Sequence, residues 1–258
     1  MGRRRTPALP RLARPLRVAA VAALVTAVAL PAVAAAHPLG NFTINHYAGL
    51  FIEPERVLLD IVIDQAEIPA FSARQAIDVD DDGEISDDEL EAGRIGACEA
   101  LIPDLGLSID GVALTPVLLT AGLTFPPGLG GLQTMRSVCG YVAELLTPLA
   151  PDRAAARIAF LDGSFPARIG WREIVVVGSG VSVSAVPGAG TVRTDSLTER
   201  LTTYPEDLIA QPLADGELQV DVAAMAAAPV VARPAIDDAE AVPGAPVVLP
   251  PASAAPTD

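Results

Sequence analysis

A mainly β fold, built as a sandwich of two sheets with one helical insertion, is what this sequence predicts, on three observations. Short apolar runs with strand-like alternation recur from Phe42 to Val222 between turn signals. The pattern breaks only at residues 68–101, a stretch whose one Val, Val79, lies in an acidic centre with helix-forming composition on both sides. Hydrophobic residues make up 51% of the 258-residue chain and aromatics only 4%, so Ala, Val and Leu must supply one core or two small ones.

The chain opens with a segment that is not part of this fold. Six of the 17 basic residues, all Arg, lie before residue 20, ahead of an uncharged stretch from Val18 to Ala36. An Arg-rich start, a short apolar run to Leu30 and the small residues Ala34, Ala35 and Ala36 read as a secretory signal, residues 1–36, cleaved before His37. An uncleaved anchor is the alternative, but the run is short for a bilayer span and stops at Pro31. Either way the following domain is extracytoplasmic, secreted or at the cell surface. Cleavage leaves 11 Arg against 32 acidic residues, a formal charge of −21. Nucleic acid and anionic membranes are poor partners for such a chain, and cations are good ones.

The strands follow in order. Phe42, Ile44 and Tyr47 mark a first segment, a break at Glu53, Pro54 and Glu55 follows, and Val57 to Ile63 form a second, giving a hairpin or neighbouring strands. Leu105 to Ile109, Val112 to Leu119 and Gln133 to Leu146 are separated by Asp110–Gly111 and the turn-rich residues 125–131. Ala156 to Leu161, Arg172 to Val177 and Val181 to Val186 come next, divided by Asp162–Gly163 and Gly178–Ser179–Gly180, with Leu218 to Val222 last. Seven or eight short strands predict an Ig-like β-sandwich over residues 37–222. Residues 223–258 are Ala, Pro and Val with scattered acids and no period, a disordered tail or linker. No apolar stretch after the signal is long enough to span a bilayer. Cys98 and Cys139, an even count in an exported chain, are expected to pair as a disulfide.

The inserted unit carries the organised charge. Residues 78–89 place Asp at 78, 80 and 82, Gly at 83 and Glu at 89, which fits the EF-hand loop pattern at every fixed position. A hard Ca²⁺ takes six to eight oxygens, and a loop curling round it turns alternate side chains inward, so Asp78, Asp80 and Asp82 supply three carboxylates. Gly83 permits the sharp turn, Glu84 is expected to give its backbone carbonyl, and Glu89 to close the shell with two oxygens. Ile85 is the loop's apolar anchor, and Ser86 either binds directly or holds a water. Ser86 and Glu89 also form a capping box for the exiting helix. Pro69 suits the start of the entering helix, with Ile68, Phe71 and Ile77 as its apolar positions; Leu90, Ala97 and Leu101 mark the exiting one. A single, unpaired loop in an exported protein points to structural calcium at extracellular concentrations, with Mg²⁺ the poorer fit.

Only two histidines are present, His37 and His46. A free amino terminus at His37 could chelate Cu²⁺ or Ni²⁺ through its α-amino group and imidazole, with His46 adding a second ring; alternatively His37 is a frayed end and His46 an ordinary strand residue. No nucleophile elbow, zinc-protease motif or phosphate loop occurs, and Gly163–Ser164–Phe165 and Gly178–Ser179–Gly180 read as hairpin turns. The chain is therefore not expected to be an enzyme. Trp171 reads as a core or edge aromatic.

The stretch from His37 through Asn41, Phe42 and His46 to Leu50 resembles the start of the extracytoplasmic N-terminal region of high-GC Gram-positive nickel/cobalt transporter-like membrane proteins. Gln65 to Pro69, Gly170 to Ile174 and Leu201 to Leu208 are similar to recurrent stretches of that region, so the resemblance covers roughly residues 37–222. It implies an accessory role in nickel or cobalt transport alongside a membrane transport component. The membrane domain and its transport motif are not in this chain. A secreted calcium-binding interaction module without a transition-metal role is the competing expectation.

Overall fold

Turn chemistry and alternation set the strand boundaries. In the structure, a computed structural model that describes residues 39–226 and 239–246, β1 (Ile44–Ile52) and β2 (Arg56–Gln65) form an antiparallel hairpin. Its turn is closed by the Glu53 N–H donating to the Arg56 carbonyl at 2.9 Å. β3 (Leu105–Ile109) and β4 (Val112–Leu114) form a second hairpin. Asp110 and Gly111 both have positive φ, 49° and 79°, as a two-residue turn matched to strand twist requires. The single strand expected over 112–119 is two, because Pro116 has no N–H to give a ladder, and β5 (Val117–Thr124) starts after it.

β6 (Met135–Glu144), β7 (Ala156–Asp162), β8 (Arg172–Gly178), β9 (Val181–Ala185), β10 (Glu217–Ala224) and β11 (Glu240–Ala241) complete the strands. They make a six-stranded sheet, β11-β5-β6-β2-β1-β8, and a five-stranded one, β4-β3-β7-β10-β9. Every ladder is antiparallel except β1 with β8, which is parallel and sets His46 opposite Arg172. Because β8 and β9 belong to different sheets, Gly178–Ser179–Gly180 is a crossing between sheets rather than the expected hairpin turn, and the same holds for residues 163–171 between β7 and β8.

The main core lies between the sheets, with Leu50, Ile52, Leu59, Ile61 and Tyr141 from one facing Leu107, Ile158, Phe160 and Val220 from the other. The far side of the larger sheet is covered too. Tyr47, Val62, Val138 and Val175 pack there with Trp171 and Leu201. Covering on both sides explains why β1 and most of β2 are buried without a break and carry apolar residues facing both ways, as in Leu50–Phe51–Ile52 and Val57–Leu58–Leu59.

The insertion folds as two helices, α1 (Glu67–Ile77) and α2 (Asp87–Glu99). α1 packs through Ala70, Ala73 and Ile77 on Leu123 and Met135, one stripe of helical spacing. Of the three positions expected to be its apolar face, Ile77 lies on this stripe, but Ile68 and Phe71 are 37% and 50% exposed. They lie on the side of the helix turned away from that stripe. On α2, Cys98 is bonded to Cys139 of β6, as expected, and Leu101 just beyond the helix joins the core. β10 runs two residues past Val222, and Glu240–Ala241 pairs with β5, so these parts of the expected tail are in the sheets. Residues 227–238 and 247–258, and the expected signal, lie outside the described residues.

Candidate metal centre

α1 stops at Ile77 and hands the chain to the acidic loop. Asp78 caps the helix, its N–H donating to the Arg74 carbonyl at 3.0 Å. Its carboxylate then accepts from the N–H groups of Asp82 (3.2 Å) and Gly83 (3.0 Å), folding the loop back on itself. Asp80 accepts from the Asp82 N–H at 3.2 Å, and Asp82 from the Glu84 N–H at 2.8 Å. These side-chain-to-backbone bonds are the turns that Asp favours, and they fix each carboxylate by its own neighbours. Gly83 sits at φ +86°, and a Cβ placed there would meet nothing within 4 Å, so glycine is required by the backbone alone.

The outcome is a trio. One carboxylate oxygen each from Asp78, Asp80 and Asp82 lies within 4.8 Å of the others; Asp78 is buried, Asp80 and Asp82 exposed. Three hard oxygen donors at that spacing fit a divalent cation that prefers oxygen. Glu89 does not join them. Its carboxylate accepts from the Val79 N–H at 2.6 Å, the Ser86 N–H at 2.9 Å and the Ser86 hydroxyl at 2.8 Å, while the Ser86 hydroxyl accepts from the Glu89 N–H at 3.3 Å. The capping box read from sequence is therefore in place. Those donors, the Ser86 N–H foremost and then that of Val79, hold the Glu89 carboxyl down at about 2. Glu84 is exposed and Ile85 half-buried. Arg74, which sequence reasoning passed over, donates to the Gly83 carbonyl at 2.7 Å and ties the loop to α1.

α2 is fastened more firmly than α1. Besides the disulfide, Tyr141 donates its hydroxyl to the Cys98 carbonyl at 2.7 Å, and buried Arg94 donates to the carbonyls of Ala121 (3.0 Å) and Glu240 (3.3 Å). The two helices approach at Gly93, where a Cβ would come within 2.9 Å of Ile77.

A second polar cluster was not legible in the sequence. His46 is 1% exposed, and its Nδ1 lies 2.7 Å from the Asp162 carboxylate and 3.3 Å from the Ser164 hydroxyl. Burial pushes the Asp162 carboxyl up, but the bonds from His46 and Ser164 outweigh it and hold the group below its ordinary range. Arg172 donates to the carbonyls of Asp162 and Ser164, pinning the turn. Ser164, expected in a hairpin turn, is thus buried, and its hydroxyl proton goes to Asp162. Serine and aspartate share the Nδ1 of His46, which differs from a nucleophile–base–orienter relay, where the two partners use different ring nitrogens. His37 lies outside the described residues, and Trp171 is fully buried.

Compared with protein-family models and with curated proteins, the chain matches none. Among the described residues no helix is long and apolar enough to cross a membrane.

Proposed function

We propose that this chain is a calcium-binding extracytoplasmic domain, an Ig-like sandwich with one EF-hand-type unit, accessory to nickel/cobalt transport. The observation that carries the calcium reading is the Asp78, Asp80 and Asp82 trio within 4.8 Å, held between two helices by its own loop. Ca²⁺ would take these three carboxylates, the Glu84 carbonyl, Ser86 directly or through water, and two oxygens of Glu89 after it swings from the Val79 N–H. The loop has no second loop to brace it, so affinity falls in the extracellular range of roughly 10⁻⁴ to 10⁻³ M. The fully buried disulfide is compatible with an oxidising compartment, and residues 1–36 would direct export there.

The transport role rests on the sequence resemblance alone. The burial of His46, whose Nδ1 is held by Asp162 and whose Nε2 is closed off from solvent, favours the second reading, a secreted calcium-binding interaction module. Calorimetry on the purified exported protein tests both. One saturable Ca²⁺ site, lost in Asp78→Ala, is expected; absence of Ca²⁺ heat and of any thermal shift up to millimolar concentration would sink the calcium reading. Titration of the Ca²⁺-loaded protein with Ni²⁺ and Co²⁺ then separates the two roles. A stoichiometric site supports the transport accessory, and no binding supports the interaction module.

A further inference from the structure

The apolar sides of α1 and α2 do not close completely onto the sheet. Between them and the end of the six-stranded sheet lies a cleft of about 550 Å³, within the range of small-molecule sites. Its helical wall is made of small residues, Ala73 and Ala76 on α1 and Gly96 and Ala97 on α2. The sheet side carries two polar residues. Gln65 on β2 is 6% exposed and Ser137 on β6 is 3% exposed, both line the cleft, and neither side chain has a hydrogen-bond partner among the described residues. Gln65 stands opposite Met135 and Ser137 opposite Ile63, so the two are diagonal neighbours on one face of the β2–β6 ladder, about 7 Å apart at the backbone.

A nearly buried carboxamide and hydroxyl that find no protein partner and open into the cleft they line leave their bonds to whatever fills it. The charged lining narrows the ligand. Glu89 and Asp104 face the cleft, and no Arg or His is among its lining residues. A carboxylate or phosphate would meet only like charge, and a cation would be held at the half-buried Glu89 and the exposed Asp104, away from the uncharged sheet side that Gln65 and Ser137 line.

We propose that this cleft binds a small uncharged amphiphile, with its apolar body against the Ala and Gly wall. Its single hydroxyl or carboxamide head both donates to and accepts from Gln65 and Ser137. This inference does not rest on the calcium reading, although Glu89 borders both places.

Benzamide, benzoate and toluene serve as probes, since they share one body and differ in head group and charge. Each is titrated into the ¹⁵N-labelled purified protein in EDTA, which keeps the result separate from any metal site, and the Gln65 side-chain NH₂ and the Ala97 amide are followed by NMR. Saturable benzamide shifts are expected at both, with benzoate and toluene at least about tenfold weaker. Gln65→Leu should weaken benzamide about tenfold, and Ala97→Phe, which fills the cleft, should abolish it. Where Gln65→Leu fails to fold, Ser137→Ala makes the same test with a smaller change. Non-saturable shifts, benzoate binding as tightly as benzamide, or binding that survives Ala97→Phe would overturn the proposal.

Discussion

Replacing Cys98 and Cys139 together by alanine removes the covalent tie between α2 and the centre of the larger sheet. The bond closes a loop of 41 residues in sequence separation, and the chain-entropy relation for such a loop gives about 4 kcal/mol of stabilisation by restricting the unfolded chain. Both sulfurs sit at 0% exposure, so alanine adds a small void on top of that loss. The native helix should nevertheless stay seated, because the Tyr141 hydroxyl still reaches the Cys98 carbonyl position and Arg94 still holds the carbonyls of Ala121 and Glu240. Circular dichroism should therefore be unchanged while stability falls. With a urea dependence of about 2 kcal/mol per molar, the unfolding midpoint should drop by about 2 M. A drop under about 0.5 M would refute the reasoning, since it would mean that residues 98–139 are already close together in the unfolded ensemble.

Two further outcomes follow from the polar contacts. The Glu89 carboxyl is held down, so its contribution to capping α2 is complete above the ordinary glutamate range and lost as pH falls toward about 2. Protection of the Val79 and Ser86 amides, relative to their intrinsic exchange, should persist through pH 4 and fall below it; a loss of protection with an ordinary glutamate midpoint would contradict the geometry. Asp162→Ala strips His46 and Ser164 of a buried partner, which should cost about 3–5 kcal/mol in urea unfolding. A cost under about 1 kcal/mol would mean that water reaches the cavity left behind.

What could be read from sequence was what is local. The strand pair around Glu53–Glu55 and the hairpin at Asp110–Gly111 were legible because a few adjacent residues specify each turn. The acidic loop was legible for the same reason, its Asp78, Asp80, Asp82, Gly83 and Glu89 all lying within twelve consecutive positions. The bond between Cys98 and Cys139 was legible from an even cysteine count. Contacts between distant segments were not legible. His46 and Asp162 are 116 residues apart and meet only because β1 pairs in parallel with β8 while β7 lies in the opposite sheet. Ile68 and Phe71 were assigned to the wrong face of α1 because hydrophobicity alone favoured them, whereas the small Ala70 and Ala73 allow the close approach to Leu123 and Met135. The unpartnered pair Gln65 and Ser137 left no mark in the pattern at all.

β11 is only two residues long, yet it lies along β5, the strand that would otherwise border the six-stranded sheet. Arg94 grips the Glu240 carbonyl, and the Val242 N–H donates to the Leu119 carbonyl, so the short strip is held at both ends. An uncovered strand border is a template on which foreign chains can polymerise. Removing residues 239–246 would bare Thr120 and Ala121 on that border and open β5 to pairing with another chain. Two residues, held by Arg94 and by the Val242 N–H, thus decide whether the middle of β5 is open to a foreign strand.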